Sequence, residues 1–267
     1  MRPAHIISLG KWRYPAWCFC AFITLLTLGI PLGVILFWLV RDYTGWSAWA
    51  TTLPLMWNSL TVAGLAAVAC VFAAMPIVLY ATRYPSRSSR WTERCAYIGY
   101  ALPGIVVALS LVFFSARYLP TIYQTLGLLV AAYVILFLPL AIGSLRASIL
   151  HISPCIEEAA RALGLSSAQT FRRVTLPLLR PGCVAGMALV FLTSMKELPA
   201  TLILGPIGFR TLATHIWGAT EEALFGRAAL PALILLFVSA CSLWFILAQE
   251  DRVVTPPISS RLEGRNT

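Results

Sequence analysis

Six stretches of this chain are apolar over lengths that a soluble core cannot use. They run at about 16–40, 57–82, 95–116, 126–145, 182–204 and 228–248. Each reaches or approaches the roughly 20 helical residues that cross a hydrocarbon core about 30 Å thick, whereas a buried helix of a soluble domain needs only about 10–14. Of the 267 residues, 59% are hydrophobic and 11% charged, against roughly a quarter charged in a soluble domain. The expected fold is therefore all-α and polytopic, with one six-helix membrane domain over 16–248. A cytoplasmic N-terminus covers 1–15. The polar tail 249–267, with Pro256-Pro257 and little to bury, is predicted to be disordered. The first run is too long for a cleaved leader, and no A-x-A-like site follows it.

The formal charge of +10 matters less than its distribution. Fifteen of the twenty Lys and Arg residues fall in the N-terminus, the loops after spans 2 and 4, and the tail, whereas the three opposite loops hold only Arg41, Arg117, Arg210 and Arg227. The excess of basic residues marks the cytoplasmic side. Both termini and the loop at about 153–181 are thus expected inside, in a multi-pass plasma-membrane protein. Trp12, Trp17, Trp38, Trp46, Trp49 and Trp57 lie near span ends and read as interfacial anchors. Pro31, Pro76 and Pro103-Gly104 read as kink and packing residues.

Several chemistries are excluded or disfavoured by the residues. The seven cysteines form no C-x-x-C pair, and His5, His151 and His215 are isolated, so neither a metal site nor a disulfide framework is expected. A nucleotide-binding G-x-x-x-x-G-K-[ST] loop needs Lys before Ser or Thr, but Lys11 precedes Trp12 and Lys196 precedes Glu197. An intramembrane enzyme would need polar catalytic groups at one depth on different helices. The spans hold few ionisable groups beyond Lys196 and Glu197. No catalytic residue or cofactor site is assigned. A non-transporting assembly subunit is the other alternative.

The most informative segment is the loop after span 4, EEAARALGLSSAQTFRRVTLPLLRP over 157–181. Strong helix formers follow Ser153-Pro154, with Glu157 and Glu158 in the first turn, where the helix dipole favours anions. Gly164 is placed to end this helix with positive φ. Ser166 or Ser167 is placed to cap a second helix through Ala168 to Val174, which Pro177 and Pro181 are expected to stop before span 5. Ala159, Ala160 and Gly164 leave a surface with little bulk. The residues alone fit two readings: a docking element for a partner protein, or a basic loop whose Arg172 and Arg173 suit anionic headgroups.

Glu158-Ala159-Ala160, Gly164, Val174, Leu176 and Pro177 follow the spacing E-A-A-x3-G-x9-I-x-L-P, with Val174 as the one departure. This resembles the EAA loop of permease subunits in type I ATP-binding-cassette importers. The resemblance implies a MetI-like permease fold and an ATPase-coupling role for those seven residues. It also implies a substrate delivered by a periplasmic or extracellular binding protein, two ATPase subunits that use ATP and Mg, and a second six-span half, identical or paralogous. No cofactor on this chain and no nucleic-acid partner are implied; the bilayer is its surroundings.

Residues 101–109 (ALPGIVVAL), 195–202 (MKELPATL) and 208–213 (GFRTLA), with Trp217, look like the ferric-iron branch of these permeases, and the chain resembles the C-terminal half of its fused members. Thiamine, phosphonate, polyamine and sulfate permeases share parts of these motifs. Lys196 and Glu197 are read within the outer part of the fifth span, roughly 21 Å along it from Gly182, with a kink expected at Pro199 just beyond. Charges at such depth face a cavity, pair, or snorkel. Lys196, Glu197 and Pro199 are accordingly candidates for the translocation path or its gate.

Overall fold

The structure, a computed structural model, describes residues 10–42 and 46–254, with side chains described throughout except at 46, 47, 245 and 247–254. Residues 1–9 and 255–267, which hold His5 and most of the expected polar tail, lie outside the described residues.

The described residues are helical almost throughout. The first hydrophobic run is built from α1 (Arg13–Thr24) and α2 (Ile30–Arg41), joined by a π-helical turn over Leu25–Gly29. Then come α3 (Trp46–Arg83), α4 (Arg87–Ala101), α5 (Gly104–Tyr118) and α6 (Leu126–Leu150). The loop region contains α7 (Pro154–Ala162), α8 (Ser167–Thr170) and a second π-helical turn over Phe171–Thr175. It is followed by α9 (Leu176–Ser194), α10 (Pro199–Leu204), α11 (Leu212–Glu221) and α12 (Phe225–Val254). Five helical stretches are long and apolar enough to cross a bilayer, and the pair α4–α5 raises the number to six when it is counted as one bent span.

The core is the packing of α3, α6 and α9, with α4, α5 and α10 laid against it. On α3, Ala63, Ala66, Ala67, Cys70 and Ala74 are buried. Lipid tails are as apolar as these side chains, so small residues that let backbones approach, rather than a hydrophobic gradient, drive such packing. The opposing α6 face supplies Leu129, Ala132, Tyr133, Ile142 and Leu145, all fully enclosed. α4 reaches α6 through Gly99, where an added Cβ would overlap the Ile135 carbonyl oxygen, and through the Glu93–Arg146 ion pair. α2 meets α12 through Trp38 and Phe225, whose ring centroids are 5.3 Å apart. Trp12 and Trp49 are exposed near helix starts, whereas Trp17 and Trp57 are exposed inside α1 and α3 rather than at their ends; the side chain of Trp46 lies outside the described residues.

Span 3 breaks where Pro103-Gly104 reads as a kink: α4 and α5 meet at 103°. Leu102 before the proline is extended (φ −87°, ψ 134°) and Pro103 itself has ψ 137°, in keeping with the steric bias against α-conformation just before proline. Pro31 and Pro76, by contrast, lie within helices. The fifth span is not continuous either, since α9 ends at Ser194 and α10 starts at Pro199; Lys196 and Glu197 occupy the break. Finally, Pro177 and Pro181 do not stop the loop helix, which runs unbroken over Ser167–Ser194. The π turn explains how the first proline is accommodated. The Leu176 amide donates to Phe171 O, five residues back, so carbonyls just ahead of Pro177 are already out of the α-helical ladder that its ring would disrupt. At the C-terminal end, α12 continues to Val254, six residues beyond the expected limit of span 6.

Candidate functional site

Pro154 opens α7 as its first helical residue, where a missing N–H costs nothing. The helix closes as the glycine spacing predicts. Gly164 has φ +90°, its amide donates to Arg161 O at 2.9 Å, and the Leu165 amide donates to Ala160 O at 3.2 Å. These two bonds are those of a Schellman end, in which a left-handed residue lets the chain satisfy the last carbonyls. Of the two candidate serines, Ser166 is the cap. It accepts from the Gln169 amide at 3.3 Å while Gln169 Oε1 accepts from the Ser166 amide at 3.0 Å.

Of the seven coupling candidates, Glu158, Ala159 and Gly164 are exposed together on α7 and its turn. Ala160 is turned inward and buried, and Val174, Leu176 and Pro177 are partly buried where the second loop helix enters α9. The structure therefore separates a bare outer face from an inner anchoring set. Leu163 is 86% exposed beside Gly164, an apolar side chain on the outer face that the motif does not mark.

The inner set includes a carboxylate that the motif does not mark either. Glu157 is 7% exposed. Its Oε1 accepts from Arg83 Nη2 at 2.9 Å and from Thr175 Oγ1 at 3.1 Å, while Oε2 lies 3.8 Å from Arg161. Arg83, the last residue of α3, also donates to Ile152 O at 3.4 Å. One buried carboxylate thus joins α7, the end of α3 and the π turn that leads into α9. Removing one member of a buried ion pair typically costs about 3–5 kcal/mol, because the other charge stays buried. The doublet Glu157-Glu158 held the signal: adjacent helical residues point about 100° apart, so on an amphipathic helix only one of them faces water.

Lys196, Glu197 and Pro199 do not form the arrangement expected of a continuous span. Lys196 is exposed, and no ion pair joins it to Glu197. Instead, Glu197 Oε1 accepts from the Ala200 amide at 3.2 Å, inside the first turn of α10. A Cβ built on Gly104, the first residue of α5, would come within 2.9 Å of the same oxygen. The carboxylate lies where two helix N-termini converge, which is where a negative charge is favoured. Pro199 is the first residue of α10 rather than a kink inside a helix. α10 is tied to α6 by the hydrogen bond between Thr201 Oγ1 and Tyr133 OH.

From the break, α10 leads to a cavity of about 580 Å³ between α10, α11 and the start of α12, lined by Thr201, Arg210, His215, Glu222 and Arg227 among others. Burial, reinforced by the cations Arg210 and Arg227, holds the His215 imidazole below its ordinary pKa. Among the described residues, no three His, Cys, Asp or Glu side chains gather as a metal site.

Comparison with known proteins adds five findings. Residues 66–255 match the family model for the binding-protein-dependent transport system inner membrane component. The chain is 38% identical over 242 residues to an Fe(3+)-transport system permease protein, FbpB 2, of Haemophilus influenzae, covering 90% of this chain and 48% of that relative. It therefore spans about half the length of that protein. A putative 2-aminoethylphosphonate transport system permease protein of Salmonella typhimurium, PhnV, is 27% identical over 210 residues, covering 79% of this chain and 77% of the relative. Among solved structures, a chain of the bacterial alginate transporter, determined with a pentasaccharide-bound periplasmic protein, superposes with a TM-score of 0.69 at 17% identity, covering 91% of this chain and 95% of that one. A chain of an inward-facing methionine transporter superposes with a TM-score of 0.58 at 18% identity, covering 74% and 95%. At these identities the structural likeness concerns the fold.

Proposed function

Since the chain belongs to the family of binding-protein-dependent transport system inner membrane components, we propose that it is the permease subunit of an ATP-driven importer whose cargo is ferric iron. In this reading α7 and its glycine turn dock on a separate ATPase, with Glu158, Ala159, Ala160, Gly164, Val174, Leu176 and Pro177 as the coupling set. ATP and Mg are used by that partner. Two ATPase subunits, a second six-span half and a periplasmic binding protein complete the assembly. In this reading the permease domain covers 16–248, with the last helix continuing to Val254 and α7 to α9 crossing from the cytoplasmic loop into the fifth span.

The observation that carries the iron assignment is the 38% identity to a ferric-iron permease over 90% of this chain. The 48% coverage of that relative supports the second half: a six-span unit with the length of one half needs a counterpart to enclose a path. The break at Met195–Leu198 and the cavity beyond it support a translocation role for Lys196, Glu197 and Pro199, with α10 as the moving piece. A 2-aminoethylphosphonate permease is the second reading, favoured by a relative of which this chain covers 77%.

The test is uptake into reconstituted vesicles carrying the chain, its partner half and the ATPase, with ATP and Mg enclosed and the binding protein supplied outside. Radioactive ferric iron should accumulate in an ATP-dependent way, and excess 2-aminoethylphosphonate should leave that accumulation unchanged. Accumulation of the phosphonate with no iron uptake overturns the cargo assignment. Glu158→Lys, which reverses a charge on the exposed face at a local cost of up to about 1 kcal/mol, should lower ATPase co-purification without affecting insertion.

A further inference from the structure

The outer face of α7 is bare, yet a docking helix transmits force only if its inner side is fixed to the helices that must move. α7 has only nine residues and ends in a glycine turn. Its inward-facing polar contacts converge on one atom: Glu157 Oε1 takes both the Arg83 hydrogen bond, at 2.9 Å, and the Thr175 hydrogen bond, at 3.1 Å. Arg83 belongs to the end of α3, and Thr175 to the π turn continuous with α9. The second oxygen is held only loosely, 3.8 Å from the half-exposed Arg161. On the other side of the pair, the Arg83 side chain is 16% exposed with Nε buried and without a hydrogen-bond partner, and its hydrogen bonds go to this carboxylate and to the Ile152 carbonyl.

We propose that Glu157 is a positioning residue of the coupling step, a tether that locks α7 to the ends of α3 and α9 so that displacement of the docked helix is passed to both spans as one rigid movement. It touches neither substrate nor nucleotide and acts through Arg83 and Thr175. Its role in coupling rests on the reading of α7 as the docking helix; its role as a tether does not.

Three variants separate connectivity from bulk. Glu157→Gln keeps one oxygen that can accept both bonds, and turns its amide N–H toward the loosely held side. Glu157→Met has similar length and no acceptor. Arg83→Met removes the same link from α3 and serves if the Glu157→Met protein does not accumulate. The first measurement uses a cysteine-free chain with spin labels at Ala162→Cys on α7 and Tyr84→Cys beside the end of α3, both exposed positions. The distance distribution should be narrow when Glu157 is retained and in the Glu157→Gln variant, and broad in either methionine variant. The second measurement is binding-protein-stimulated ATP hydrolysis in vesicles of the full assembly. Glu157→Gln should keep about half or more of the stimulation, and the methionine variants should lose it by at least about fivefold.

A methionine variant with a narrow distribution, or with stimulation equal to that of Glu157→Gln, overturns the proposal. A wild-type assembly without any stimulation sinks the importer reading instead, and the distance measurement still decides whether the tether exists.

Discussion

Gly164 carries two requirements at one position, and they can be separated. Its φ of +90° is a conformation that L side chains rarely adopt, yet a Cβ added there would meet nothing within 4 Å of this chain. An intramolecular clash is therefore absent, and any loss of stability must come from backbone strain, on the order of 1 kcal/mol for a non-glycine residue. Asn tolerates left-handed backbone better than Ala does. Gly164→Asn should leave the end of α7 nearly as protected against amide exchange as in the wild type, and Gly164→Ala should weaken it. Co-purification of the ATPase should fall in both, by roughly tenfold, about 1.4 kcal/mol of binding, because both place atoms on the face that must stay bare. Retention of the ATPase by Gly164→Asn would mean that the glycine serves the turn alone. Here sequence reasoning reaches the position and its conformation, because a helix former run, a glycine and a capping serine all act within a few residues. The Glu157-Glu158 doublet hints that one carboxylate turns inward, but its partners Arg83 and Thr175 escape sequence reasoning, since the link to Arg83 spans 74 residues and nothing local marks either partner.

At the scale of elements, what sequence leaves out is where a helix breaks. Pro76, Pro139 and Pro181 lie inside helices, whereas Pro103 and Pro199 start new ones. The difference is in the neighbourhood rather than the residue. At the two breaks Glu197 sits against the first turns of both α5 and α10, so one side chain supports two helix starts that come from distant parts of the chain. A carboxylate accepting an N-terminal amide acts as a cap, and deleting such a cap costs about 0.5–2 kcal/mol. Glu197→Ala should therefore loosen α10 and reduce transport several-fold while subunit abundance and ATPase co-purification stay near wild type. Glu197→Gln, which keeps an acceptor oxygen, should fall between the two. If both variants transport at wild-type rates, the break between α9 and α10 is only a packing irregularity, and Lys196, Glu197 and Pro199 have no part in the path.

For the molecule as a whole, the folded chain provides a geometric check on the charge asymmetry, because helices fix which loops share an end of the bundle. Arg83, at the end of α3, meets Glu157 of α7, and Glu93 of α4 meets Arg146 near the end of α6. The two arginine-rich loops are thereby held together at one end. Arg210 and Arg227 of the connection between spans 5 and 6 line one cavity, and Arg41 of the first connection lines another together with Arg227, so these two basic-poor connections also meet. The positive-inside bias then acts on two coherent surfaces rather than on separate loops, and a single inverted hairpin would break both ion pairs. In a cysteine-free background, Arg90→Cys and Arg172→Cys should react with a membrane-impermeant maleimide only after the membrane is opened, whereas Thr121→Cys and Glu222→Cys, both at exposed positions, should react in intact cells. Ready labelling of Arg172→Cys from outside would place α7 away from any cytoplasmic ATPase. The docking reading would then fail even though every helix, cap and ion pair described above remained in place, because a coupling loop is defined by the compartment it faces as much as by its fold.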